Sequence, residues 1–299
     1  MFTYSLNSLV VFYVVVKTNS FSKAADLLFM TQPGVSNHVA QLEAQTGARL
    51  LVREKGKFKL TKEGKVIFKY AEKIEAAARG LENTLKAMKG GEKPLLKIAT
   101  TPVYSRIMMP FILGTFQNAN PDIMIKLDSG NSNDMVKTLV SMENDVVIVA
   151  NQKTSQKLYS FPLIREELVL ITAKGHPLAR KKSVSLSEIA EYPLVIREEG
   201  SSTRKVVLSA YGSLNIKPGV LIDMTSTEFI KEWVSQGTGV SLLIKRAVLG
   251  DERKHLKAIP LKESLSLEVS VLCLKSRKYD KPIQRFIDHI KELKSKAVL

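Results

Sequence analysis

The chain of 299 residues is poor in several features that mark secreted, membrane or metal-binding proteins. It has a single cysteine, Cys273, which excludes an internal disulfide and any zinc site built from several cysteines. Its longest apolar run, residues 9–16, is far short of the roughly 20 residues that a membrane-spanning helix needs. The opening residues, MFTYSLNS, lack the basic region and cleavage site of a signal peptide. These absences predict a cytoplasmic protein that does not enter a membrane.

Signatures of catalysis are also scarce. The histidines His38, His176, His255 and His289 are scattered, and none has the spacing of metal ligands. No phosphate-binding loop, nucleophile elbow or nucleotide-binding fingerprint occurs, and Cys273 lies in an apolar stretch typical of a buried structural thiol. We therefore expect no catalytic residue, no metal and no cofactor. An enzyme or a cytoplasmic small-molecule-binding protein stays open as the alternative function.

What the chain has in excess is positive charge. Lys and Arg number 45 against 29 Asp and Glu, which gives a net charge of +16. Residues 1–90 contribute +7 of this and residues 91–299 contribute +9, so the first third is the more basic per residue. Hydrophobic residues make up 44% of the chain, enough for a substantial core. The excess favours a polyanionic partner, such as nucleic acid or an acidic membrane surface.

The first 60 residues have the pattern of short helices followed by a hairpin. Residues 5–19 fit either a strand, because many are β-branched, or a helix, because the apolar residues also recur at helical spacing. Residues 20–30 predict a helix capped by Ser20 or Ser22, and a third helix then starts at Thr31 or Gln32. Residues 52–61 predict two short strands around a Lys-Gly-Lys turn.

The third helix has two contrasting faces. At about 100° per residue, Val35, Val39 and Leu42 form one narrow apolar stripe. The opposite face has no acidic residue and consists of small or amide-bearing residues: Pro33, Gly34, Asn37, Ala40 and Gln41. Such a face suits the major groove of DNA, because amides read base edges and small residues allow close approach. With the preceding helix it would form a helix-turn-helix, and the basic hairpin would be a wing.

Residues 61–89 predict one long helix, capped by Thr61 and ended by Gly90-Gly91. Apolar residues recur in it every seven positions, at Ile67, Ile74, Leu81 and Met88. At about 1.5 Å per residue the helix is roughly 40 Å long, and its apolar stripe needs a partner. The stripe could pack on its own domain. We favour dimerisation, because the neighbouring elements are too short to cover it.

From residue 95 strands and helices alternate, which predicts an α/β domain with a mostly parallel sheet in two similar lobes. We expect lobe I to comprise about 91–165 and 268–299, and lobe II about 166–267. The predicted strands are 95–100, 123–130, 145–150, 167–173, 193–198, 219–224, 239–244 and 267–275. The predicted helices are 102–118, 132–143, one from about 203, 227–236 and 280–295.

Four strand-to-helix junctions in this domain are rich in hydroxyl groups: residues 100–102, 129–132, 201–203 and 225–227. Each could simply cap its helix, because serine, threonine and asparagine are the usual N-caps. At the carboxyl ends of strands in a two-lobed fold, however, they could converge on one cleft and hold a small anion or carboxylate. No buried basic residue is evident, so the attraction would come mainly from helix N-termini.

Residues 19–64 closely resemble the winged helix-turn-helix of LysR-type transcriptional regulators. The motifs Ser-Phe-Ser-x-Ala-Ala, Thr-Gln-Pro-x-Val-Ser, Leu-Glu-x-x-x-Gly and Leu-Thr-x-x-Gly occur in order. The rest of the chain is similar more loosely, through GSSTR at 200–204 and residues 228–243. One departure is Leu50-Leu51-Val52-Arg53, where the family usually has Leu-Phe-x-Arg; the strand ending at residue 244 also lacks a frequent proline.

The resemblance implies an α+β multidomain protein. A helical winged helix-turn-helix would occupy residues 1–60, a linker and dimerisation helix 61–90, and a two-lobed, Rossmann-like effector domain, like a periplasmic binding protein, 91–299. It implies a homodimer, or a homotetramer, on an inverted-repeat promoter site in double-stranded DNA. The implied base-reading residues are Gln32, Pro33, Ser36 and Asn37, and the implied phosphate and wing contacts are Ser22, Thr31, Arg53 and Lys55. The implied effector-binding residues are Thr100, Thr101, Ser129, Asn151, Ser202 and Thr203.

Overall fold

The computed structural model describes residues 5–54, 57–88, 93–150, 156–248 and 255–298. The described chain forms two compact units that divide between residues 88 and 93, each with its own hydrophobic core. The predicted helix end at Gly90-Gly91 and most of the Lys-Gly-Lys turn lie outside the described residues.

The first unit consists of three short helices, a hairpin and a long helix. The elements are α1 (Leu6–Thr18), α2 (Phe21–Leu28), α3 (Gln32–Thr46), β1 (Leu51–Glu54), β2 (Lys57–Leu60) and α4 (Lys62–Met88). The ambiguous first segment is a helix, because helical spacing buries Val11, Phe12 and Val15 together in the core. Burial therefore outweighs the strand propensity of its valines.

The second unit is built from nine strands and eight α-helices within the described residues. The strands are β3 (Leu95–Thr100), β4 (Met124–Ser129), β5 (Val146–Ala150), β6 (Leu158–Ala173), β7 (Leu194–Arg197), β8 (Leu221–Met224), β9 (Val240–Ile244), β10 (Leu256–Pro260) and β11 (Ser266–Leu274). The helices are α5 (Pro102–Ile107), α6 (Met109–Ala119), α7 (Ser132–Val140), α8 (Leu186–Ile189), α9 (Ser202–Ser213), α10 (Thr227–Ser235), α11 (Lys245–Val248) and α12 (Lys281–Ser295).

The long strand β6 joins two lobes. Its residues 158–167 pair with β11, and residues 168–173 pair with β9 and β10. The strand order is β4-β3-β5-β11-β6-β9-β7-β8, with β10 also on β6. In each lobe, the carboxyl ends of parallel strands point to the side on which α5, α7, α9 and α10 begin.

Two details of the predicted α/β domain are wrong. The sheet is mixed rather than mostly parallel, because β6, β10 and β11 pair antiparallel with their neighbours. The predicted helix over 102–118 is two helices, α5 and α6, that meet at Met108. Pro110 explains the break, since it has no N–H to donate and its ring clashes with the carbonyl of residue 106 in a continuous helix.

Candidate functional site

The N-terminus of α3 is fixed by its own first residues. Thr31 is the N-cap, with extended backbone, and its Oγ1 accepts a hydrogen bond from the Gly34 N–H at 3.2 Å. Pro33 occupies the first turn, where its missing N–H is not needed. A proline and a glycine are therefore compatible with an ordinary helix start at this position.

The two faces of α3 are those that the spacing predicts. Val35, Val39 and Leu42 are buried in the core of the first unit. The predicted base-reading residues lie elsewhere on the helix: Gln32, Pro33 and Asn37 are exposed, and Ser36 is half-buried. Ala40 and Gln41 extend the exposed face. The result is a surface without acidic side chains that presents amides and small groups.

Polar contacts hold α3 against α1 and the hairpin. The buried Ser8 on α1 has its Oγ 3.1 Å from His38 Nδ1 and donates to Gln41 Oε1 at 3.3 Å. The Glu43 carboxylate accepts hydrogen bonds from the backbone N–H groups of Leu50, at 2.6 Å, and Leu51, at 3.0 Å. Glu43 thus ties the start of the hairpin to α3.

The predicted phosphate contacts are distributed over three elements. Ser20, not Ser22, caps α2 by accepting from the Lys23 N–H at 3.2 Å, which leaves Ser22 exposed in the first turn. Thr31 is exposed at the start of α3, and Arg53 lies in β1, with its side chain outside the described part. Lys55 lies outside the described residues.

The heptad positions of α4 divide into two groups. Ile67 and Ile74 are half-buried and pack against the core of the first unit, so they face their own domain. Leu81 is 59% exposed, and the side chain of Met88 is not described. A different set of residues forms an exposed apolar stripe along the helix: Val66, Tyr70, Leu81 and Leu85.

The second unit contains a cleft between its lobes, with about 450 Å³ of atom-free space that is partly open to solvent. Its lining residues come from both lobes. Hydroxyl and amide side chains dominate its polar lining: Thr101, Asn131, Ser132, Ser201, Ser202, Thr203 and Thr227. All four predicted junctions thus contribute to one cavity, although not always through the predicted residue.

Some side chains at these junctions cap a helix and others do not, and Asn131 both lines the cleft and accepts a backbone hydrogen bond at the start of α7. The Asn131 Oδ1 accepts from the Asp134 N–H at 2.9 Å, and Ser226 caps α10 by accepting from the Phe229 N–H at 3.2 Å. Within the described chain, Thr101 and Ser201 make no side-chain cap bond although they are the N-caps of α5 and α9. Their hydroxyl groups are therefore available to a molecule in the cleft.

Two predicted effector residues do not line the cavity. Thr100 is fully buried, and its hydroxyl donates to the Ile148 carbonyl at 2.6 Å, across the β3–β5 pair. Ser129 is exposed at the end of β4. Asn151 lies outside the described residues, whereas Thr101, Ser202 and Thr203 do line the cleft.

Arg197, the last residue of β7, was not predicted from the sequence. It is 7% exposed and, among the described residues, is the one charged side chain that lines the cleft. Its guanidinium donates from Nε and Nη2 to the two Glu198 carboxylate oxygens, both at 2.8 Å, and from Nη1 to Thr227 Oγ1 at 2.9 Å. A charged residue in an otherwise apolar strand, PLVIRE, is the signal that could have identified it.

Direct contacts join the lobes across the cleft. Ser202 Oγ donates to the Ala150 carbonyl at 2.6 Å, and the Asn133 N–H donates to the Gly200 carbonyl at 3.2 Å. Arg106 on α5 also forms an ion pair with Glu228 on α10, at 2.6 Å. These contacts hold the two lobes in the observed arrangement.

The phenol side chain of Tyr104 is buried in the lining of the cleft. Burial and the nearby Glu166 raise the pKa of Tyr104 well above its usual value, so its hydroxyl stays neutral. Burial also raises the pKa of Glu166, against the opposing effect of Arg246, whose Nε lies 2.9 Å from Oε1. The neutral Tyr104 hydroxyl can therefore donate a hydrogen bond in the cleft without adding a negative charge.

The single cysteine lies in the buried core of the second unit. Burial raises the pKa of the Cys273 thiol to about 11, which keeps it from acting as a thiolate. Across the described ranges, no three His, Cys, Asp or Glu side chains are grouped to hold a metal ion. Within the same ranges, no helix is long and apolar enough to cross a membrane.

Comparison with known proteins agrees with both units. Residues 6–65 match the family model "Bacterial regulatory helix-turn-helix protein, lysR family", and residues 89–295 match "LysR substrate binding domain". The HTH-type transcriptional activator CmpR of Synechocystis is 30% identical over 239 residues, which cover 80% of this chain and 78% of that protein.

Solved structures share the fold. Full-length CbnR in complex with its target DNA aligns over 97% of this chain and 99% of that chain, with a TM-score of 0.69 and 18% identity. The CcmR regulatory domain of Synechocystis in complex with 2-PG aligns over 67% of this chain and 97% of that chain, with a TM-score of 0.62 and 24% identity. Because its two units match the two family models in order over most of its length, the chain belongs to the LysR family of transcriptional regulators.

Proposed function

We propose that this LysR-type regulator binds an inverted-repeat promoter site as a homodimer, or as a homotetramer, and responds to a small anion in the cleft of its second unit. The observation that carries the DNA-binding half is the exposed, acid-free face of α3 opposite its buried stripe. We assign DNA binding to residues 1–60, linkage and dimerisation to 61–90 and effector binding to 91–299. The protein acts in the cytoplasm, where the chromosomal DNA is.

In this proposal α3 lies in the major groove. Gln32, Pro33, Ser36 and Asn37 contact base edges, because amides and hydroxyls can pair there and proline adds apolar contact. Ser22, Thr31, Arg53 and Lys55 contact phosphates, and Arg53 can also approach the minor groove. The relative CbnR, solved with its target DNA, supports this arrangement by fold. A protected inverted repeat in a footprint supports the proposal, and turnover of a small molecule without DNA binding contradicts it.

Asn37→Ala is expected to weaken binding to the operator by about 1–3 kcal/mol, because one amide loses its bonds to a base edge. Binding to random DNA depends on phosphate contacts and should be unchanged. Fluorescence anisotropy with operator and scrambled duplexes at one salt concentration measures both. Gln45→Ala is the matched control, an exposed amide two turns further along α3. Equal losses on both duplexes would show that Asn37 does not read sequence.

The cleft supports a small anionic effector. Thr101, Ser202 and Thr203 bring hydroxyl groups to it, and Arg197 adds the positive charge that the sequence analysis did not assign. The CcmR regulatory domain, which shares this fold and was solved in complex with 2-PG, supports a small ligand for the second unit. A thermal-shift screen of small anions and carboxylates should give a hit that alters the footprint. Stabilisation by bulky apolar compounds alone contradicts the anion assignment.

For the dimer, the structure changes which residues we propose. Ile67 and Ile74 belong to the core of the first unit, so we replace them with Val66 and Tyr70. Leu81 remains, Leu85 joins it, and Met88 stays an expectation from the sequence. Val66 and Tyr70 lie about one turn apart on this 27-residue helix, as do Leu81 and Leu85, so the exposed apolar residues form two pairs on one side of the helix. A second copy of the same helix would cover them.

A further inference from the structure

The cleft guanidinium already has a carboxylate partner within the chain. Arg197 is 7% exposed, and Glu198 holds its Nε and Nη2 through two hydrogen bonds of 2.8 Å. Two parallel N–H···O bonds form the pairing that arginine also makes with carboxylate or phosphate ligands. Glu198 therefore occupies the edge of the guanidinium that an anionic ligand would bind best.

Three of the five N–H groups of Arg197 are used, because Nη1 also donates to Thr227. Nη1 and Nη2 each keep one N–H. A ligand anion bound only to these two meets a guanidinium whose charge Glu198 has already neutralised. Its attraction is then much weaker than that of an unpaired buried arginine.

The backbone around the pair is anchored, whereas the Glu198 side chain can turn away. The Arg197 carbonyl accepts from Arg204 Nη1 at 2.8 Å, and the Glu198 N–H donates to the Met224 carbonyl at 3.0 Å. Arg204 itself pairs with Asp223. The Glu198 side chain is 19% exposed and, within the described chain, its carboxylate hydrogen bonds go to Arg197 alone. Its release would break one pair and leave the cleft wall in place.

We propose that Glu198 is a specificity-determining residue that competes with the effector for Arg197, and so sets how tightly the cleft binds carboxylate, phosphate or sulfate groups. This inference rests on the proposed effector function of the cleft. A ligand that cannot accept hydrogen bonds from both Nε and Nη2 of Arg197 fails to displace Glu198 and binds weakly. A ligand with a bidentate anionic group, and contacts to the neighbouring hydroxyls, succeeds.

The test is isothermal titration of the full-length chain with inorganic phosphate, sulfate and succinate. Glu198→Gln removes the competing charge and is expected to bind at least one of these anions at least tenfold more tightly than the wild type. Glu199→Gln is the matched control: the adjacent glutamate is exposed, and its replacement changes the net charge equally. It should change affinity less than twofold. Arg197→Gln added to Glu198→Gln should abolish the gain.

Unchanged or weaker anion binding in Glu198→Gln would overturn the inference, as would an equal gain in Glu199→Gln. If Glu198→Gln fails to fold, Glu198→Asp tests the same point, because the shorter carboxylate cannot hold both nitrogens and a smaller gain is expected. Anion binding that is equally tight in the wild type and Glu198→Gln would overturn the inference but leave the anionic effector cleft standing. Absence of anion binding in every variant would exclude both the inference and the anionic effector, while a footprint of the same preparation tests DNA binding separately.

Discussion

Gly64→Ala is expected to destabilise the first unit by about 3 kcal/mol, although alanine normally stabilises a helix by 0.5–1 kcal/mol relative to glycine. Gly64 lies in the first turn of α4, where its N–H donates to Thr61 Oγ1 at 2.8 Å. A Cβ added there would lie 2.1 Å from the Leu50 carbonyl oxygen. The Leu50 carbonyl oxygen belongs to the backbone and cannot rotate away by itself. The start of α4 and the chain just before β1 must therefore separate to make room for the added Cβ.

Gly34→Ala is the matched control for this variant. Gly34 is also a helical glycine of the first unit, but an added Cβ would meet only the Thr31 Oγ1, at 3.2 Å, and the Met30 side chain, at 3.8 Å. Its effect on the free energy of unfolding should stay within about 1 kcal/mol. Packing inside the protein therefore does not require glycine at 34, and close approach to DNA stays a prediction for that position.

The single tryptophan makes the measurement selective. Trp233 lies on α10 of the second unit, so its fluorescence follows that unit, while far-UV circular dichroism follows both. In a urea titration, Gly64→Ala should lower the midpoint of the unfolding transition that circular dichroism detects and fluorescence does not. The midpoint of the Trp233 fluorescence transition should stay unchanged. If the urea midpoint of the first unit were the same in Gly64→Ala as in the wild type, the prediction would be wrong, and the backbone at Leu50 would accommodate a Cβ at residue 64 without loss of stability.

The second large effect concerns oligomerisation. The double variant Leu81→Asp with Leu85→Asp is expected to weaken dimerisation at least about 100-fold, because each copy would place two carboxylates in an apolar seam without partners. Affinity for a full inverted repeat should fall with it, since each half-site is then bound independently. Affinity for an isolated half-site should be kept.

Analytical ultracentrifugation across a concentration series measures this change. Lys65→Glu is the control, because it alters the charge of the same helix by the same amount at an exposed position away from the stripe. Ile74→Ala tests the other half of the helix and should lower the stability of the first unit without dissociating the dimer. A dimer that survives the double aspartate substitution would assign dimerisation to another surface.

The DNA-binding unit was the more predictable part of the molecule. The spacing of Val35, Val39 and Leu42 defined both faces of α3, and the Thr31 cap and the Ser20–Ser22 alternatives fell within two residues of the observed helix starts. The motifs identified the family, which the comparisons confirm. Residues 5–19 could not be assigned, because their valines satisfy both periodicities until a core is present.

In the second unit, sequence reasoning found the four junctions but not which side chains face the cleft. Thr100 and Thr101 are adjacent hydroxyls, yet Thr100 donates within the sheet and Thr101 lines the cavity. The first half of β6 and all of β10 were not predicted, because neither reads as a separate apolar strand. Arg197 could be recognised as a cleft residue only from the fold, which places Thr227, 30 residues later in the chain, beside its guanidinium.

Sequence alone was enough to predict the helices with a clear apolar stripe, the start of α3, the basic character of the protein and its family. These properties depend on neighbouring residues and on the fixed geometry of the helix, so local spacing is sufficient. The folded chain was needed to show that Ile74 packs inward while Leu81 stays exposed, and that Arg197 lines the cleft with Glu198 as its partner. Burial and charge pairing depend on residues distant in the chain, and the hydrophobic effect has no direction, so spacing alone cannot choose the partner of an apolar or charged side chain.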